Sequence, residues 1–192
     1  MPTTTKLITY EDSLTMPEDR FEEIVDGESR IMPPPTPGHW KVLQQVREML
    51  RDQLPQQDYD MSLADVGLGI KRRPVLTYRV PDIAVFSVAA LAKDRAESGK
   101  SDAYIWAVPE LVVECLSPSN RKGPTEKLRQ NYESIGVPEV WFIDLQSETL
   151  TVYLLESGSL VEKQSIKEGM VIPVRLPQVS VNVNDLWKAF DF

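Results

Sequence analysis

Two carboxylates embedded in apolar strands are the residues of this chain best placed to do chemistry. Asp82 lies in Arg79-Val-Pro-Asp-Ile-Ala-Val-Phe86, and Glu114 lies in Glu110-Leu-Val-Val-Glu-Cys-Leu116, about thirty residues later. Both segments read as buried β-strands, where a carboxylate is costly unless a cation, a hydrogen-bond donor or water meets it. Side-chain alternation puts each acid on one defined face, so the pair suggests a shared divalent-metal site. Taken singly, either acid reads as a strand end facing solvent. Phosphodiester hydrolysis needs an activated water and stabilisation of the charge developing on phosphate, and a metal held by carboxylates supplies both. Asp82 and Glu114 are the candidate ligands, with the Cys115 main-chain carbonyl as a neutral third.

The elements that must position these groups follow from local pattern. Phe21 to Met32 reads as two short strands around Asp26-Gly27, a strong hairpin signal. Phe21, Glu23 and Val25 then share a face, which makes Glu23 a third candidate acid pointing inward. The segment Met32-Pro-Pro-Pro-Thr-Pro-Gly38 reads as a loop, because proline lacks an N–H and fixes φ. After it, Trp40, Leu43, Val46, Met49 and Leu50 recur at helical spacing as far as Leu54 and Pro55. His39 falls in the first turn, where a polar residue is ordinary; its proximity to the hairpin loop also makes it a candidate to line the site.

Asp60 to Phe86 reads as β-structure, Ala89 to Asp102 as a short helix and polar loop, and Ser117 to Thr125 as a loop with helix-start chemistry. The helix from Thr125 to Ile135 buries Leu128, Tyr132 and Ile135, leaving Lys127, Asn131 and Ser134 on a polar side; Gly136 caps it and Pro138 stops it. Val140-Trp-Phe-Ile-Asp-Leu145 is the near-continuous apolar run of a central strand covered on both faces, and Thr149 to Leu155 pairs with it. From Ser159 onward one or two further strands and a helical turn between Val183 and Phe190 are expected. A helix inserted between strands argues for an α/β or α+β fold rather than a sandwich.

Composition sets bounds on function. The chain has 192 residues, 42% of them hydrophobic, which suits one domain with one core. Its single cysteine excludes an internal disulfide, and Cys115 in an apolar run is most simply a core residue. The N-terminus lacks the apolar core of a signal peptide and no run is long enough to span a bilayer, so a soluble cytoplasmic protein with no membrane association is expected. A net charge of −8 argues against a protein that coats nucleic acid by neutralising phosphate. It leaves room for a nuclease, whose metal ligands are acidic and whose substrate a local basic stripe can hold. Lys71-Arg72-Arg73, Arg121-Lys122 and Lys127 with Arg129 are the candidates for that stripe.

These residues carry a family resemblance. Pro81-Asp82 followed by Glu114 on the next core strand resembles the PD-(D/E)XK nuclease superfamily, and more specifically the Uma-two family of restriction-endonuclease-like proteins. The matching blocks are Arg20 to Glu28, Pro33 to His39 leading into a helix, Val80 to Val85, and Pro109 to Ser119 continuing through Lys127, Tyr132 and Gly136 to Asp144. The resemblance implies an α/β restriction-endonuclease-like core with a mixed central sheet flanked by helices and a small N-terminal β-hairpin. The whole chain, residues 1–192, would form one domain, with its core at about residues 20–155 and C-terminal strands and a short helix at 156–192. It further implies hydrolysis of DNA by an endonuclease using Mg²⁺ or Mn²⁺, acting as a homodimer. Where the superfamily pattern places lysine, two residues after Glu114, this chain has Leu116, which can neither orient water nor stabilise phosphate. Resembling families move that lysine to the following helix, so Lys127 is its expected substitute, and Glu23 matches the hairpin glutamate. A non-catalytic nucleic-acid- or protein-binding member of the fold and a nuclease acting on RNA are the rival readings.

Overall fold

The computed structural model describes residues 6–16, 22–98, 103–116 and 123–188. Phe21, Ser117, Arg121 and Lys122, which figure in the expectations above, lie outside the described residues. In chain order the elements are α1 (Tyr10–Ser13), β1 (Glu22–Val25), β2 (Glu28–Ile31), α2 (Pro37–Arg51), β3 (Tyr59–Ser62), β4 (Gly67–Lys71), β5 (Thr77–Arg79), β6 (Ile83–Ser87), α3 (Val88–Ser98), β7 (Tyr104–Ile105), β8 (Leu111–Leu116), α4 (Gly123–Ser134), β9 (Glu139–Asp144), β10 (Thr149–Glu156), β11 (Ser159–Ile166), β12 (Met170–Val171), β13 (Val181–Asn182) and α5 (Val183–Lys188).

Among the described residues these strands form a six-stranded mixed sheet, ordered β11-β10-β9-β8-β6-β3, and a five-stranded sheet, ordered β2-β1-β5-β4-β7. In the larger sheet β8 and β9 run parallel, so the chain must cross over between them, and α4 is that crossover. Both faces of this sheet are covered. Ile83, Val85, Leu111, Val113 and Cys115 pack against Val42, Val46 and Leu50 of α2 and against tail residues such as Val181 and Leu186. Ala84, Phe86, Val112, Val140 and Phe142 face the other way, toward Tyr132 of α4. The α/β architecture with helices on a mixed sheet is therefore as the sequence implies.

The local chemistry explains why these elements begin and end where they do. Asp26 and Gly27 both have left-handed φ, 52° and 82°, the requirement of a two-residue hairpin turn. A Cβ on Gly27 would also lie 2.9 Å from that of Leu7, so no other residue fits. Helix α2 starts with Thr36 accepting the His39 N–H (3.3 Å) and with Pro37 in the first turn. Helix α4 ends with Gly136 at φ 79°, while the Val137 N–H reaches back to the Tyr132 carbonyl (3.1 Å).

The expected N-terminal hairpin is present as β1 and β2, and β1 pairs with β5 through Ile24 and Tyr78, which builds it into the five-stranded sheet. Two features differ from the sequence reading. The tail contains three strands rather than one or two, because β12 and β13 form a short ribbon beside the longer β11. The short α1 and the two-residue β7 have no counterpart in the sequence reading. Among the described residues, no helix is long and apolar enough to cross a membrane.

Candidate metal centre and active site

The register of β6 against β8 brings the two acids together. Ile83 faces Val113 and Ala84 faces Val112 in this antiparallel pair, so one further step sets Asp82 across from Glu114. Asp82 Oδ2 accepts the Cys115 N–H (2.7 Å), which fastens the end of β6 to β8. The same oxygen lies 3.2 Å from His39 Nε2, and that nitrogen is 3.1 Å from the Cys115 carbonyl oxygen. A proton on Nε2 thus bridges a carboxylate and a carbonyl, whereas Nδ1 is buried with no hydrogen-bond partner among the described residues. Burial pushes the His39 ring toward neutrality, but the hydrogen bond and charge of Asp82 and the Cys115 carbonyl outweigh it, and the ring titrates above its ordinary value.

Glu114 lies on the face of the sheet that α4 covers. Its Oε1 accepts a hydrogen bond from the Tyr132 hydroxyl, and Tyr132 is fully buried on α4. Burial first, then the negative charges of Asp82 and Glu23, hold the Glu114 carboxyl well above the usual range, against the Tyr132 bond and the Arg79 charge. Burial likewise raises the Tyr132 phenol, with Glu114 and Glu23 adding to the effect. The surroundings of Glu114 therefore disfavour its charged form, and a cation at this place would oppose that shift.

Glu23 is paired. Its Oε2 accepts from Arg79 Nη1 (2.7 Å) and its Oε1 from the Val80 N–H (3.0 Å). Arg79 also gives its Nε–H to Asn131 Oδ1 (2.8 Å), and its Nη2 is buried without a partner among the described residues. Lys127 forms an ion pair with Asp26 in the hairpin turn (2.8 Å), and both side chains are about half exposed. That pairing lowers the Asp26 carboxyl below its usual value.

The structure therefore gathers Asp82, His39 and the Cys115 carbonyl at one point, with Glu114 opposite. Glu23 is tied to Arg79, and Lys127 to the hairpin. Among the described residues no three or more His, Cys, Asp and Glu side chains form a cluster set to hold a metal. The donors present nonetheless suit a divalent ion: a carboxylate, a main-chain carbonyl and an imidazole converge, and Glu114 opposite them stands in the field of two other acids. The Cys115 thiol is buried and pushed far up, so it is a core group, as the sequence indicated.

Sequence reasoning missed Arg79, Asn131 and the second role of Tyr132. Asn131, on the polar side of α4 by sequence pattern, is buried against Arg79. The available signal was an arginine inside the apolar run Val75-Leu-Thr-Tyr-Arg-Val80, which a buried strand tolerates only with a partner. The expected basic stripe is also engaged with other groups. The Arg72 guanidinium lies 4.3 Å from the Trp106 ring centre, Arg73 pairs with Glu11 (2.6 Å), and Arg129 pairs with Glu126 (2.7 Å) and Glu133 (3.0 Å).

The model of the Uma2 family, described as "Putative restriction endonuclease", matches residues 9–184. The chain belongs to the Uma2 family. Its fold is similar to the crystal structure of "a putative nuclease belonging to DUF820" from Anabaena variabilis ATCC 29413, with a TM-score of 0.77 at 21% identity, covering 95% of this chain and 98% of that one. At that identity the likeness establishes the fold, and Uma2 membership supports a nuclease function. No curated protein matches the chain.

Proposed function

We propose that this chain is a divalent-metal-dependent endonuclease that hydrolyses DNA phosphodiester bonds. The observation that carries the reading is the β6–β8 register, which brings the Asp82 carboxylate and the Cys115 carbonyl to one point with Glu114 across from them. Asp82, Glu114 and the Cys115 carbonyl would hold Mg²⁺ or Mn²⁺. When bound, the ion supplies an activated water and a positive charge beside the phosphate.

The remaining groups orient and shield. The Tyr132 hydroxyl holds Glu114, while Arg79 and Asn131 fix Glu23 behind it. Lys127 would leave Asp26 for a phosphate oxygen when substrate arrives, a smaller change than moving a buried residue because the pair is exposed. One such site cuts one strand, so cutting a duplex calls for two copies, and a homodimer in the cytoplasm is part of this proposal.

A specific observation favours one rival. Leu116 stands at the superfamily's lysine position, Lys127 is paired with Asp26 and Glu114 with Tyr132, which are the contacts of a resting or non-catalytic protein. Incubating supercoiled plasmid and single-stranded RNA with the protein in Mg²⁺, Mn²⁺ or chelator separates these readings. Metal-dependent DNA cleavage that disappears in Asp82→Ala supports the endonuclease. DNA binding without cleavage in either metal supports the binding protein.

A further inference from the structure

We propose that His39 is a protein ligand of the cation and that its imidazole makes the site prefer Mn²⁺ to Mg²⁺, an inference that rests on the metal-dependent reading above. A single ring nitrogen, Nε2, lies 3.2 Å from Asp82 Oδ2 and 3.1 Å from the Cys115 carbonyl oxygen. These are the same two oxygens that the strand register delivers to the site. The convergence of one ring nitrogen and two oxygens gives a mixed nitrogen–oxygen donor set. Imidazole nitrogen suits transition ions, whereas Mg²⁺ holds to oxygen donors and water.

The ring is delivered by its helix and not by Asp82 alone. Thr36 caps α2 and takes the His39 N–H, and Val42, Val46 and Leu50 anchor the helix in the core. A donor fixed in this way loses little freedom on ligation. Ligation requires Nε2 to give up its proton, with the remaining ring proton on Nδ1. Nδ1 is buried without a partner among the described residues, so this histidine lacks the carboxylate or carbonyl that usually supports a metal ligand from behind. Its loss should therefore weaken Mn²⁺ binding without abolishing it.

The chain contains one histidine, so in tag-free protein any imidazole nitrogen coupled to bound Mn²⁺ belongs to His39. The test is pulsed electron paramagnetic resonance of the Mn²⁺-loaded wild type, together with calorimetric titration of MnCl₂ and MgCl₂ into wild type, His39→Ala and Asp82→Ala. The expected result is an imidazole ¹⁴N coupling in wild type and Mn²⁺ binding about tenfold tighter than Mg²⁺, with that preference lost in His39→Ala because Mn²⁺ weakens about tenfold and Mg²⁺ changes less than about twofold. Bound Mn²⁺ without nitrogen coupling overturns the assignment of His39, and the spectrum needs no variant to fold. Equal weakening of both ions in His39→Ala overturns the selectivity. Failure of wild type to bind either ion, or binding that Asp82→Ala leaves intact, overturns the metal-dependent reading itself.

Discussion

Two buried glutamates on neighbouring parallel strands, Glu114 of β8 and Glu139 of β9, face opposite circumstances. Glu139 is 1% exposed, and each of its oxygens has a donor: the Trp141 indole N–H (2.6 Å) and the Val174 N–H (2.6 Å). Glu114 is 8% exposed, accepts one hydrogen bond among the described residues, from Tyr132, and stands in the field of Asp82 and Glu23. Burial raises both carboxyls, but only Glu114 is raised further by other acids. A buried acid whose oxygens each have a donor joins two parts of the fold. One that faces other acids is stabilised by added positive charge, and the proposed metal site rests on that circumstance.

The largest test of this contrast is activity. Glu114→Ala should reduce metal-dependent plasmid cleavage to background while the circular dichroism spectrum is unchanged; Glu139→Gln should leave cleavage within about twofold, because no reacting group depends on it. Equal losses in both would erase the distinction. Next comes the basic group on the Glu114 side. Lys127→Ala should slow single-turnover cleavage by ~10²-fold, the scale of losing one electrostatic stabiliser, with calorimetric Mn²⁺ affinity unchanged. A normal rate would leave Lys127 as no more than the partner of Asp26.

Stability should run the other way. Glu139→Gln turns an amide N–H₂ toward an N–H donor, and urea unfolding should show a loss of about 1–3 kcal/mol. Glu114→Gln in chelator should cost less, or stabilise, because it removes a charge from an acidic field. The smallest effect is a slope. A carboxyl whose folded pKa is raised favours the folded state most below its unfolded value, near 4.3, and that contribution is lost as pH rises through the folded value. The metal-free protein should therefore lose stability with rising pH above that point, and the raised His39 adds in the same direction. Melting curves across pH should be flattened more by Glu114→Gln than by Glu139→Gln. Mn²⁺ should remove the Glu114 part of the slope and leave that of Glu139 in place.

The parts of this molecule written in local pattern were readable from the sequence. The Asp26-Gly27 turn, the apolar stripe of α2, the buried run of β9 and the Gly136 stop of α4 each depend on neighbours a few residues away. Alternation alone put Asp82 and Glu114 on defined faces. The rest depends on partners far along the chain. Arg79 has no local sign of its role, since Glu23 and Asn131 lie 56 and 52 residues away. His39 reaches Asp82 across 43 positions and Cys115 across 76. Glu139, like Glu114, adjoins an apolar run, and its second donor comes from the distant tail residue Val174, 35 positions away. The pairing of β1 with β5 rests on a single residue pair, too short to leave a periodicity.

The site spans the seam between two sheets: Glu23 and Arg79 sit in the five-stranded sheet, while Glu114, with Asp82 just ahead of β6, sits in the six-stranded one. This arrangement sets a timetable for the growing polypeptide. Synthesis proceeds from the N-terminus at roughly 5–20 residues per second. Asp82 and Glu114 leave the ribosome before Tyr132, and β9, the parallel neighbour that walls in β8, emerges after them. A nascent chain thus carries both acids for seconds without the enclosure that makes them a site. The cell meets the nuclease only once the chain beyond Asp144 has been made and both sheets have closed on α4.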